Sequence, residues 1–144
     1  MDCYEDKDNE KEVPVLRKST PKILIVEDEQ LVLWSLSLAL SKAGFEINTV
    51  NSAEKAIFAI QSNRYDLVIT DLNLPKGSGY TVASAVKQVS SATPVIITSA
   101  IKEMETNLSS SLSDVEAFIE KPYDLSQLTE LVRQLLSMGS AKNE

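Results

Sequence analysis

Asp71 closes the apolar run Leu67-Val-Ile69, and Pro75, Gly77 and Gly79 follow it and break regular structure. So short and continuous an apolar run reads as a strand buried on both faces, which puts the Asp71 carboxylate at a strand's carboxyl end. In open α/β sheets that edge is where ligands and chemistry collect. Three more apolar runs end in reactive groups: Ile23-Leu-Ile-Val26 in Glu27-Asp28, Pro94-Val-Ile-Ile-Thr98 in Ser99, and Glu116 to Glu120 in Lys121. Three carboxylates crowded at one edge repel one another unless a cation and the Lys121 ammonium compensate them. Mg²⁺ suits such a set, because it takes oxygen ligands and is held by one or two carboxylates plus a phosphate. Asp71 can then attack a phosphoryl group and form an acyl phosphate, with Lys121 and the metal neutralising the equatorial oxygens and the Ser99 hydroxyl hydrogen-bonded to them.

The elements that must position these groups alternate. A 3.6-residue period runs from about Gln30 to Ala43 and stops at Gly44; a weaker strand spans Phe45 to Val50; Asn51-Ser-Ala-Glu54 resembles a capping box that opens a helix through Ala56, Ile57 and Ile60. After Gly79 a helix carries Tyr80, Val82, Ala83 and Val86 toward the core. A serine-rich segment, 102–112, is expected to be helical, and Asp124 with Gln127 caps a last helix whose apolar face is Leu125, Leu128, Val132 and Leu135. Five strands alternating with five helices predict a doubly wound α/β fold: a five-stranded parallel sheet, right-handed crossovers and helices on both faces. Residues 1–20 are polar and aperiodic and read as a disordered leader, 21–137 as the folded domain, and 138–144 as a frayed tail or the start of a linker.

Composition narrows the function. The 144 residues suffice for one domain with a real core, and a net charge of -7 with scattered basic residues argues against direct nucleic-acid binding. The single cysteine, Cys3, permits neither an internal disulfide nor a cysteine metal site, which suits a cytoplasmic protein. No run approaches a membrane span. The chain has no histidine, so imidazole bases and phosphohistidine are excluded from its own chemistry.

The fragments Ile-Leu-Ile-Val-Glu27-Asp28-Glu29, Asp71-Leu-Asn-Leu-Pro75 with Gly79, Pro94-Val-Ile-Ile-Thr-Ser99-Ala100 and Phe118-Ile-Glu-Lys121-Pro122, in that order, resemble the receiver domain of bacterial two-component response regulators over about residues 22–136. The resemblance implies a (βα)5 flavodoxin-like, CheY-like sandwich of strand order 2-1-3-4-5. It implies that Asp71 is the phosphoacceptor, that Glu27 and Asp28 form the acidic pocket, and that Asp28, Asp71 and the main-chain carbonyl of Asn73 hold Mg²⁺. Ser99 and Phe118 would be the switch pair, with Lys121 contacting the phosphate before a cis Lys–Pro bond. The partner implied is a sensor histidine kinase or phosphotransfer protein. Departures are Glu27 for the more usual Asp, Leu74 for the commoner methionine, and Asp114-Val-Glu116 where a small residue often precedes the fifth strand. An aspartyl-phosphate phosphatase of the haloacid dehalogenase type fits worse, because there the nucleophile follows the first strand and acids lie downstream. A pseudo-receiver that only binds partners has no physical need of the clustered carboxylates.

The first helix carries a second stripe. At 100° per residue Val32, Ser35, Leu36, Ala39, Leu40 and Ala43 face the sheet, while Leu31, Trp34 and Leu38 point away, the composition of an interface anchor. The expected occupant is a second copy (a homodimer), a kinase helix or an effector domain. Asn73 and Ile101 correspond to family positions that flank the path of an attacking water, and Ile101 has no polar atom to orient it. The acyl phosphate is therefore expected to hydrolyse slowly, and Ile101→Asn or Ile101→Glu should speed its decay as followed by intact mass; an unchanged rate would count against this shielding.

Overall fold

The computed structural model describes residues 20–100 and 114–142. The leader, Ile101 and the expected helix over 102–112 lie outside the described residues. In chain order the elements are β1 (Lys22–Val26), α1 (Gln30–Lys42), β2 (Glu46–Val50), α2 (Ala53–Ser62), β3 (Leu67–Asp71), β4 (Asn73–Leu74), β5 (Gly77–Ser78), α3 (Gly79–Val89), β6 (Val95–Ser99), β7 (Ala117–Glu120) and α4 (Leu125–Lys142). The five long strands form one parallel sheet in the order β2-β1-β3-β6-β7, which is the expected 2-1-3-4-5 when only those strands are numbered.

The sheet divides two cores. Leu24, Val26, Val68, Val95 and Ile97 face α2 and α3, meeting Ala56, Ile60, Val82, Ala83 and Val86. Ile23, Ile25, Leu67, Ile69 and Ile96 face the other way and meet Leu36 and Leu40 of α1 with Leu128 and Val132 of α4. Full burial of one Ile or Leu contributes roughly 1.5–3 kcal/mol, whereas an exposed ion pair contributes about 0–1 kcal/mol. The central strands, buried on both faces, therefore carry the fold.

Local signals explain the boundaries. Gly44 (φ 102°) ends α1 in a Schellman arrangement, its N–H donating to Ser41 O and that of Phe45 to Leu40 O. Ser52, rather than Asn51, caps α2: its Oγ accepts from Lys55 N at 3.1 Å, which leaves Glu54 in the first turn where the helix dipole favours a carboxylate. Ser78 caps α3 by accepting from the N–H groups of Tyr80 and Thr81. The loop after Asp71 is more regular than its Pro and Gly content suggests. Asn73–Leu74 pairs antiparallel with Gly77–Ser78 around Pro75-Lys76, with Lys76 at φ 57° as the second central residue of a turn of this kind requires. The last helix runs to Lys142, past the point where the sequence suggests fraying.

The rotation of α1 differs from the helical-wheel expectation in one respect. Leu36 and Leu40 are buried and Leu33 also packs into the core, while Val32, Ser35, Ala39 and Ala43 are only partly buried. Leu31, Trp34 and Leu38 are exposed, as expected, at 74%, 63% and 40%.

Glu116, at the point where the sequence departs from the receiver pattern, is held by its neighbours. Its Oε1 accepts from Val95 N at 2.8 Å, and both carboxylate oxygens meet Lys87 Nζ, at 3.1 and 2.9 Å, while Lys87 also donates to Thr93 O at 2.6 Å. This latch joins α3, the start of β6 and the entry to β7. Because the Val95 N–H would be left without that acceptor, Glu116→Ala should lower stability by about 1–2 kcal/mol, read as a lower urea midpoint with the slope unchanged; an unshifted midpoint would show that the latch contributes nothing.

Candidate functional site

The alternation of strand side chains builds the site. Ile23 and Ile25 face α1 and α4, and two residues further in the same phase comes Glu27. Leu67 and Ile69 lead in phase to Asp71, and Ala117 and Ile119 to Lys121. The parallel register aligns Ile25 with Ile69 and Asp71 with Thr98, so the three groups emerge together at the carboxyl edge. Lys121 Nζ lies 3.1 Å from Asp71 Oδ2 and 3.5 Å from Glu27 Oε1. Single ligand oxygens of Glu27, Asp28 and Asp71 all fall within 4.8 Å of one another. Glu27 and Asp71 are buried, at 3% and 8% exposure, and Asp28 is exposed at the mouth. Three hard oxygen donors at that spacing are what a small divalent cation takes, so the donor set fits Mg²⁺.

Backbone contacts hold the pocket's walls. Gly79 N–H donates to Leu72 O at 2.8 Å, and a Cβ on Gly79 would stand 2.7 Å from Asp71 O, so only glycine lets α3 start this close to the end of β3. The Lys121 N–H donates to Ser99 O at 2.8 Å, and the Lys121–Pro122 bond is cis. Glu29 N–H donates to Glu27 Oε2 at 3.1 Å.

Burial pushes the Glu27 carboxyl up from its ordinary range, and the Asp71 charge adds to this against the opposing Glu29 N–H and the Lys121 ammonium. For Lys121 burial works downward, but the hydrogen bond to Asp71 and the charges of Asp71 and Glu27 outweigh it and leave its pKa raised. Lys121 is thus firmly an ammonium, and Glu27 carries its charge against the cost of burial.

Ser99 and Phe118 belong to the opposite face. Ser99 continues the phase of Val95 and Ile97, and Phe118, the register partner of Ile97, packs against the core under α2 and α3. Ser99 is fully buried and its Oγ donates to Ala100 O at 3.0 Å; the Phe118 ring meets Tyr80 edge-on at 6.3 Å between centroids. Thr98 shares Asp71's phase, but β6 continues through Ser99, so the strand does not end at the earlier hydroxyl. Asn73 sits exposed in β4, two residues beyond Asp71. Nothing in the residue pattern singles out Tyr123, whose hydroxyl is buried without a hydrogen-bond partner among the described residues. Only its position two residues after Lys121 could have pointed to it.

Residues 23–133 match the family model described as the response regulator receiver domain. The chain is 33% identical over 125 residues to the transcriptional regulatory protein PmrA of Pectobacterium parmentieri, covering 85% of this chain and 56% of that protein. It is 29% identical over 118 residues to the transcriptional regulatory protein PrrA of Mycobacterium tuberculosis, covering 82% and 51%. The chain therefore spans about half the length of such curated relatives. Among solved structures, a CheY-like receiver domain protein from Methanospirillum hungatei superposes with a TM-score of 0.80 at 22% identity, covering 86% of this chain and 99% of that one, a likeness of fold. The response regulator TrrA of Thermotoga maritima, solved in complex with Mg²⁺ and BeF, gives 0.73 at 29% identity, covering 81% and 99%.

The electrostatics carry a pH prediction. With the folded-state pKa of Glu27 above its ordinary 4.5, the unfolded chain loses this proton first as pH rises, so ionising Glu27 costs the fold stability. Glu27→Gln should therefore stabilise the metal-free protein at pH 7, by an amount on the order of 1 kcal/mol, and the gain should vanish below pH 4.5, where Glu27 is protonated in both states. Urea titrations at the two pH values check this, and a loss of stability at pH 7 would contradict it.

Proposed function

Since the chain belongs to the response regulator receiver family, we propose that it is a phosphorylation-driven signalling switch that accepts a phosphoryl group on Asp71. The observation that carries this reading is the Lys121 ammonium 3.1 Å from the Asp71 carboxylate, with the oxygens of Glu27 and Asp28 gathered within 4.8 Å of it. With no histidine in the chain, the donor is a phosphohistidine on a separate sensor kinase or phosphotransfer protein. An Asp71 carboxylate oxygen attacks phosphorus, the phosphorus–nitrogen bond breaks, and the imidazole leaves with its electron pair and takes up a proton.

Lys121 balances charge on the transferred oxygens, a role supported by its 3.1 Å approach to Asp71. Asp28, Asp71 and the Asn73 carbonyl would hold Mg²⁺, which when bound neutralises phosphoryl charge. Transfer occurs once per activation rather than in turnover, so the protein acts as a regulatory acceptor. On this reading Ser99 and Phe118, packed on the far face of the sheet, form the element whose two arrangements report the state of Asp71.

Incubation with acetyl phosphate and Mg²⁺ should add one phosphoryl group by intact mass. Asp71→Asn or removal of Mg²⁺ should abolish the gain, and ATP alone should give none. An undiminished gain in the Asp71→Asn protein would overturn the assignment.

A further inference from the structure

Phe118 is half-buried at the edge of the core under α2 and α3, where its ring is not enclosed on every side. A phenyl ring has no polar atom, so no hydrogen bond can select one of its arrangements, and contact with neighbouring groups must do so. Among the described residues the ring that meets it is Tyr80, edge-on, with centroids 6.3 Å apart and planes at 63°. Such a pair favours the arrangement that contains it by a factor of about two to ten beyond the effect of the area it buries.

Tyr80 is carried on anchored backbone. Its N–H donates to the Ser78 hydroxyl at 3.1 Å, and the preceding Gly79 N–H donates to Leu72 O at 2.8 Å. Gly79 also stands where a Cβ would lie 2.7 Å from Asp71 O, so the first turn of α3 is fixed against the end of β3. Ser99 lies fully buried on the same face as Phe118, and its hydroxyl donates to Ala100 O at 3.0 Å. A hydroxyl has one proton to donate. The arrangement in which Tyr80 and Phe118 touch is therefore one in which the Ser99 proton is not directed toward Asp71.

We propose that Tyr80 is a positioning residue of the switch: its ring edge holds Phe118 in the arrangement that accompanies the Ser99–Ala100 hydrogen bond, and so opposes the change that follows phosphoryl acceptance. The proposal rests on the reading of Asp71 as the acceptor and of Ser99 and Phe118 as its reporters. It adds to that pair a third residue, on α3, that sets how strongly the free protein favours the unswitched arrangement.

The test titrates Mg²⁺ with beryllofluoride, as the phosphoryl mimic, into wild-type protein and into Tyr80→Leu, Tyr80→Met and Tyr80→Phe, with affinity read by calorimetry. Tyr80→Leu and Tyr80→Met lose the ring edge and should bind the mimic roughly fivefold more tightly, because a larger fraction of the free protein is then ready to switch. Tyr80→Phe keeps the ring and should bind as the wild type does. In a Phe118→Leu background, Tyr80→Leu should leave affinity unaltered, since the contact it removes is already gone. Unchanged or weaker binding by the Leu and Met variants, an equal gain in the Phe118→Leu background, or the same gain in Tyr80→Phe would each overturn the proposal. Wild-type protein that fails to bind the mimic at all would instead overturn the acceptor reading itself.

Discussion

One ammonium shared between two buried carboxylates is the constraint around which this molecule is arranged. Lys121 lies 3.1 Å from Asp71 and 3.5 Å from Glu27, and neither carboxylate has much water to screen it. A buried ion of this kind costs several kcal/mol to desolvate, and its counter-charge repays that only when placed well. Two carboxylates with one ammonium leave a net negative pocket, and Asp28 at its mouth adds to the excess. The pocket is thus balanced toward the arrival of positive charge, which is a property of function rather than of stability.

The scaffold meets this constraint with backbone register alone. Three parallel strands in the same phase deliver Glu27, Asp71 and Lys121 to one edge, and none of these side chains is asked to hold the sheet together. That task falls to the residues just before them, from Ile23 to Val26 and from Leu67 to Ile69, all at 1% exposure or less. A glycine at position 79 then allows a helix to begin against the carbonyl of Asp71.

Much of this was legible in the sequence. Continuous apolar runs fix the phase of each strand, and the phase fixes which terminal residue faces which side, so the gathering of Glu27, Asp28, Asp71 and Lys121 follows from counting. Gly44 and Asp124 were equally plain as a helix stop and a helix cap, the latter now seen accepting from Ser126 N at 2.8 Å. The rest depended on features without periodicity. A pairing of two residues on each side, as between Asn73–Leu74 and Gly77–Ser78, is too short to leave a hydrophobic pattern. Asn51 and Ser52 are both good caps, and only the path of the chain decides between them. Leu33 enters the core because packing turns α1 slightly from the ideal wheel. That the Tyr123 hydroxyl has no partner among the described residues is a fact about three-dimensional surroundings that no spacing encodes.

The two cores described on either side of the sheet have a consequence for how such a protein can change over time. Glu27, Asp71, Lys121 and Tyr123 share the layer of α1 and α4, whereas Ser99, Phe118 and Tyr80 share the layer of α2 and α3. On the proposed reading, the accepting groups and the reporting groups are therefore separated by one thickness of peptide backbone and approach one another along its carboxyl rim. Substitutions in one layer can retune acceptance of the signal while the other layer's packing, and the surface built on it, drift independently. A single sheet thus makes input and output separately adjustable, with the strand ends as the narrow channel through which the two must still agree.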